Sequence, residues 1–498
     1  MKIFDILKKD KVILSVLIII FSLVFISLAI QTKSQWAQDS HWHMSLVENL
    51  ASGKGYTSDG VSPHGKYPPG LALLILPFYL FLHDINLAGL LVIYLCSVLS
   101  IILTYKLSSE FLDKKIALVA TILLIFHNLF IFNSVSIMTE TPFMLFSIAC
   151  IYFFTKSFDK HLFILPSMIF FSLATLIRYD GLFLVFPLLF YSYFRIRDLR
   201  KLIFSKIFIV SLVSALLMMF IWMFRNLVVF GSFIYSDYTR ELTSFSITQF
   251  FSFVLLFFKT GYIFPVISLA GIIFYLFYYR KNARANTLFV WFISYVILHS
   301  IWSARAFRFY GEIILVLCIF AAIGIIKLSE FISSSKFRKI FVISLIFLII
   351  LEQLFIFYSG SINYETSMST LNRYESIHQL SDWAKANLPA NATYAVPDVA
   401  VYSIYLPEKN LIYYNQGFDT LLKQNTSMIY FLTDTLHPWV TSSILTGIEK
   451  NDIAFQVQGQ QNKIFVVHLK PKLIKEIDYL NKSKAELFVI TNISVANS

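Results

Sequence analysis

Apolar runs of about 20 residues recur along this chain as far as Tyr358, and that is the length a helix needs to cross a hydrocarbon core of roughly 30 Å. A backbone in such a solvent must satisfy its own hydrogen bonds, so runs of this kind are expected to be helices. About eleven are expected. The first is Val12 to Ile30, followed by runs centred on Ile85 to Lys106, Ile116 to Phe132, Pro142 to Thr155, Leu162 to Ile177 and Leu182 to Phe194. The remainder are Ile207 to Phe224, Tyr262 to Tyr279, Thr287 to Trp302, Glu312 to Ile326 and Ile340 to Tyr358. The first run is longer than the apolar part of a secretory signal and has no small-residue cleavage site after it, so it is read as an uncleaved span.

A net charge of +12 suggests nucleic-acid binding until its location is considered. Beyond Ser361 there are 11 Lys plus Arg against 12 Asp plus Glu, so the excess belongs to the apolar part, and nucleic acid is excluded as a partner. Lys and Arg crowd alternate connections: Lys106 to Lys115, Lys156 to Lys160, Arg195 to Lys206, Arg280 to Arg284 and Lys327 to Lys339. By the positive-inside rule these connections and the N-terminus are cytoplasmic, and an odd number of spans puts everything after Tyr358 outside. The expected architecture is an α-helical polytopic membrane domain over residues 1–360, with an outer loop at 31–84, followed by a small extracytoplasmic α/β domain over 361–498. No cytoplasmic connection is long enough for a nucleotide-binding βαβ unit. The three cysteines, Cys96, Cys150 and Cys318, all lie in apolar runs and read as packing residues.

Candidate chemistry lies on the outward side. "QDSHWHMSLVENLASGKGY" reads as a helix in which Asp39 shares a face with Trp42, His43, Leu46 and Leu50 while Glu48 points to water. Asp39 is either a helix cap or an acid facing substrate as a general base. His41 and His43 beside it are a weak metal motif without a further ligand. Pro68, Pro69 and Gly70 open a 13-residue apolar segment typical of an interfacial helix, and Lys66 just before it either anchors at the interface or holds a lipid phosphate. Glu140, Arg178 with Asp180, Arg225, Arg305, Arg308 and Glu312 stand at other outer span ends. The charge bias of insertion does not explain outward arginines, whereas phosphate binding does.

In order, "D39…GKGY…YPPG", "TETPF", "RYDG", "RNLVVFGSF" and "RAFRFYGE" resemble the GT-C membrane glycosyltransferases, over roughly residues 1–360. The resemblance is to the bacterial and archaeal group (glycosyltransferase family 39) related to protein O-mannosyltransferases and lipid A aminoarabinose transferase. It implies an essential acid in the first outer loop, at Asp39, with Lys66 and Tyr67 beside the donor phosphate. It also implies a polyprenyl-phosphate sugar donor and a lipid, glycan or protein acceptor. Ser40 follows Asp39 where many mannosyltransferase members carry Asp-Glu. On this reading Asp39 and Glu140 are catalytic, and Lys66, Tyr67, Arg178, Arg305 and Arg308 bind the donor phosphate in an inverting transfer at the cell membrane. No metal site is assigned. A divalent cation shared by Glu140 is the one cofactor candidate. The competing reading, a transporter or flippase of lipid-linked saccharides, predicts charges deep within spans and two related halves, and the sequence shows neither.

Overall fold

The structure, a computed structural model, describes residues 2–31, 38–235, 246–301, 307–360, 374–389, 392–406, 410–413, 429–434, 453–458, 464–479 and 483–497. The chain divides into two compact units. One comprises Met1–Gln31 with Pro63–Ser369, and the other Thr32–Ser62 with Thr370–Ser498. The first part of the outer loop thus groups with the C-terminal residues rather than with the helices that flank it.

The helices are α1 (Lys2–Gln31), α2 (Gln38–Ala51), α3 (Gly70–Leu82), α4 (Ile85–Phe111), α5 (Lys114–Phe126), α6 (Asn128–Ser134), α7 (Glu140–Ser157), α8 (Ile164–Ile177) and α9 (Val185–Phe194). They continue as α10 (Ile196–Ile203), α11 (Lys206–Phe230), α12 (Ile247–Leu256), α13 (Ile263–Tyr278), α14 (Ala283–Ser300), α15 (Ile314–Glu330) and α16 (Ser335–Ser359). Apart from α2, all of these belong to the first unit. Every apolar run named above is helical for most of its length among the described residues. Among the described residues, four helices, α1, α4, α11 and α16, are long and apolar enough to cross a membrane by themselves, and six spans result if each of two bent pairs counts as one.

The bends have identifiable causes. The chain turns by 62° between α5 and α6 and by 119° between the α12 segment and α13. Two adjacent side chains of α16 supply what the breaks remove. Glu352 accepts the N–H groups of Tyr262, Ile263 and Phe264 at the start of α13. Gln353 donates to the Thr260 carbonyl and accepts from the Asn128 amide at the start of α6. Close packing elsewhere depends on glycine: a Cβ on Gly271 of α13 would collide with the Phe320 carbonyl of α15.

The basic connections gather at one end of the helices. Lys156 pairs with Glu110 at 2.6 Å, Arg284 and Arg195 both reach Asp159, and Asn282 donates to the Phe111 carbonyl. Helix α7 runs from this end to Glu140, about 24 Å away at 1.5 Å per residue.

The second unit holds α2 with α17 (Glu375–Asn387) and α18 (Val399–Tyr405) and a six-stranded sheet. Its strands are β1 (Thr393–Val396), β2 (Asn410–Tyr413), β3 (Ile429–Asp434), β4 (Ile453–Gln458), β5 (Ile464–Tyr479) and β6 (Ser483–Asn497), in the order β2-β1-β3-β6-β5-β4. β1 lies parallel to β2 and β3, with α18 as the β1-to-β2 crossover, and the remaining pairs are antiparallel. Tyr374, Ile377, Leu380, Tyr394, Val401 and Tyr402 form its core.

On α2 the expected face is buried at His43 and Leu46, but His41 and Ser45 are buried as well. Its hold on α18 comes from His41 bonded to the Tyr405 hydroxyl, Trp42 donating to Asp398, and Ser45 donating to the Ala400 carbonyl. His41 is therefore a buried histidine whose Nε2 is engaged by Tyr405. Glu48 does not point freely to water. Burial pushes its carboxyl up to about 7, with Lys54 acting in the opposite direction. The fold thus favours neutral Glu48: its contribution is complete below the ordinary value of 4.5 and is lost as pH rises through about 7. Glu48→Gln should raise stability by about 1–2 kcal/mol at pH 8, allowing for partial exposure, and leave it unchanged near pH 4. Thermal unfolding at the two pH values checks this, and an equal effect at both would remove the titration from the account.

Candidate active site

Three chain turns of the first unit bring charged side chains together at the Glu140 end of α7. The first is the segment before α7, where Pro142 sits in the opening turn and Glu140 leads the helix with a side chain only 1% exposed. The second is "RYDG". Arg178 ends α8 in an extended conformation, and the chain folds back so tightly that a Cβ on Gly181 would meet the Thr175 amide nitrogen at 2.5 Å. Glycine here places Arg178 beside Asp180, with Nε and NH2 each 3.0 Å from Asp180 Oδ2. The third is "RFYGE", where a Cβ on Gly311 would collide with Asn133 and where Tyr310 is tied to the Phe253 carbonyl.

Arg178 is the centre of the cluster. Its Nε lies 3.0 Å from Glu312 Oε1, and its NH1 donates to Thr139 Oγ1 at 3.1 Å and approaches Glu140 Oε1 to 3.9 Å. Arg308 reaches the same Glu140 oxygen at 3.9 Å. Glu312 is fully buried and receives the Tyr295 hydroxyl on its second oxygen. Among the described residues, three carboxylates, Glu140, Asp180 and Glu312, thus meet two guanidiniums. Glu140 Oε2 accepts no hydrogen bond. His299 lies against this group between the rings of Phe253 and Phe309, at centroid distances of 4.9 and 5.0 Å, and Asp180, His299 and Glu312 offer ligand atoms within 4.8 Å of one another.

Lys66 and Tyr67 are next to this cluster along the fold. Gly70 is pressed onto the Leu176 carbonyl, two residues before Arg178, so the "KYPPG" turn packs on the end of α8. Within the turn the Tyr67 amide donates to His64, whose carbonyl accepts from Arg225, and Lys66 Nζ lies 5.0 Å from the Tyr67 ring centre. Arg225 is stacked on Trp222 and Phe230. The Tyr179 hydroxyl accepts from both Trp222 and Asn226, which joins this turn to "RYDG".

A family model described as dolichyl-phosphate-mannose-protein mannosyltransferase matches residues 66–224. No curated protein matches the sequence. Solved structures do match. The undecaprenyl phosphate-bound crystal structure of ArnT from Cupriavidus metallidurans superposes with a TM-score of 0.67 at 11% identity, over 95% of this chain and 97% of that one. The Archaeoglobus fulgidus oligosaccharyltransferase in its apo form gives 0.56 at 13% identity, over 91% of this chain and 74% of that one. The chain has the GT-C fold.

Within that GT-C fold the sequence-derived candidates separate. Glu140, Arg178 and Arg308 are brought together, and Lys66 and Tyr67 lie on the adjoining turn. Asp39, half-buried in the first turn of α2, belongs to the second unit, and Arg305 falls outside the described residues. Sequence reading missed Thr139, Tyr179, Tyr295 and His299. The last two had one faint signal, a polar i, i+4 pair within an otherwise apolar span.

Proposed function

We propose that this chain is an integral membrane glycosyltransferase that moves a sugar from a polyprenyl-phosphate donor to an envelope lipid, glycan or protein acceptor on the extracytoplasmic side. The observation that carries this reading is the guanidinium and carboxylate cluster around Arg178, set beside the Lys66 turn at the membrane end away from the basic connections. Guanidiniums there are suited to a phosphate whose charge grows as the glycosidic bond breaks, and fixed charges act most strongly where water is excluded. Ser294 neighbours Tyr295, and with Phe183, Phe186, Phe289, Ile293 and Ile297 it lines an apolar cleft of about 370 Å³ that suits an isoprenoid tail. ArnT was crystallised with undecaprenyl phosphate and the oligosaccharyltransferase with a tethered acceptor peptide, and a donor and an acceptor of those kinds fit here. Asp39 takes the acceptor proton in an inverting displacement. Glu140 orients the acceptor, while Lys66, Tyr67, Arg178, Arg305 and Arg308 hold the departing lipid phosphate.

The test is transfer from a panel of labelled polyprenyl-phosphate sugars against the same sugars on nucleotides. Lipid-linked donors should be used, and Lys66→Gln and Arg308→Gln should each raise donor KM and lower kcat together. Efficient use of a nucleotide sugar, indifferent to both substitutions, would place the donor on another carrier. Sidedness has its own check. Single cysteines at the exposed positions Ser52 and Lys385 should react with an impermeant thiol reagent in intact cells, and one at Lys336 only after lysis. The reverse pattern would invert the topology.

A further inference from the structure

The group formed by Asp180, His299 and Glu312 has the composition and the support of a metal centre, and neither the sequence reading nor the transfer reading uses it as one. We infer that these three side chains bind a single divalent transition-metal ion, with Zn²⁺ and Mn²⁺ as the fitting chemistries. One imidazole and two carboxylates are a ligand set that such ions accept with positions left open. The three ligand atoms lie within 4.8 Å of one another. Bonds of about 2.1 Å bring tetrahedral ligands to roughly 3.4 Å apart, so a modest contraction seats the ion.

A further observation points the same way. Glu312 Oε1 is buried and accepts no hydrogen bond: Arg178 Nε, ion-paired with it at 3.0 Å, donates its hydrogen to Asp180. The outer supports are those that ligands require. Tyr295 donates to the other oxygen of Glu312, Arg178 holds Asp180, and the Phe253–His299–Phe309 stack fixes the imidazole plane and leaves only its edge for polar contact. The pull of Arg178 on both carboxylates is opposed by Glu140, which lies 3.9 Å from the same guanidinium. A bound ion adds positive charge where the transfer reading puts the donor phosphate. That consequence rests on the transfer reading, but the site itself does not.

The experiment uses the full-length protein in detergent, without an affinity tag and without donor, titrated calorimetrically with Zn²⁺, Mn²⁺ and Ca²⁺. One Zn²⁺ or Mn²⁺ per chain should bind, with Ca²⁺ far weaker. His299→Gln and Asp180→Asn should each weaken binding by at least about tenfold, and Tyr295→Phe by roughly 10- to 100-fold as loss of an outer support. His161→Gln, at the other end of the helices, should leave it unchanged. Because a buried substitution can disturb folding, a gain of signal is measured as well: in Co²⁺-loaded protein, His299→Cys should add a thiolate-to-metal charge-transfer absorption. The absence of stoichiometric binding in wild type, or binding that survives both ligand substitutions without the new absorption, overturns the site. Since no transfer is measured, a failed donor experiment leaves this result standing.

Discussion

Asp39→Asn should lower transfer by about 10²- to 10⁴-fold, the usual cost of losing a general base, while the protein inserts, folds and binds donor as before. The two side chains have nearly the same shape and differ in the ability to take a proton. Asparagine caps helices as well as aspartate does, so a purely structural Asp39 would tolerate the change. Turnover with the labelled lipid donor, compared with donor binding in the absence of acceptor, separates these cases. Unchanged turnover would end Asp39's role as the base. A parallel loss of donor binding would move it from proton transfer to donor recognition.

Arg178→Leu is expected to have the largest effect on stability. Arg178 contacts Asp180, Glu312, Thr139 and Glu140, and its loss takes from fully buried Glu312 the guanidinium 3.0 Å away and from buried Glu140 one of two equidistant ones. Breaking a buried pair from one side costs about 3–5 kcal/mol, because the remaining charge stays desolvated. Arg178→Lys should recover part of this, since a point charge cannot span Asp180 and Glu312 as the planar fork does. Adding Glu312→Gln to Arg178→Leu should return stability toward wild type, and the double-mutant cycle gives the coupling directly. Independent, additive losses would show that Arg178 and Glu312 do not share their charge in solution.

How much of this could be read from the sequence depended on how far apart in the chain the deciding contacts lie. The apolar runs report locally on helices, so all of them appeared, and Pro69 with Gly70 marked the start of α3 to the residue. In the second unit the short apolar runs Thr393 to Val396, Met428 to Leu432 and Ile464 to His468 were legible as strands from the sequence. β2, β4, β6 and α18 were not, because short or mixed-polarity segments acquire their state from neighbours in the sheet. The bend at His127 carried no local signal, and Gly261 marked a break without showing what closes it, since the groups that stabilise both, Glu352 and Gln353, come about 90 and 225 residues later. The same reason hid the docking of α2. Its contacts with Ala400 and Tyr405, more than 350 residues downstream, add His41 and Ser45 to the face that amphipathic periodicity selected. At the site, the arginines at the expected outer span ends stood out because they violate a charge rule. His299 and Tyr295 violate none, as single polar residues in spans usually pack.

The double bond-making by Glu352 and Gln353 imposes an order on biogenesis. On the proposed membrane reading, α5, α6, α12 and α13 would reach the bilayer before α16, and the amide groups at both bends would then await Glu352 and Gln353. When α16 arrives, one pair of neighbouring side chains closes both bends at once. A chain that stops before Ser335 therefore lacks the stitch for two separate breaks, and membrane quality control meets it as a half-assembled bundle with exposed backbone, whatever the condition of its charged cluster.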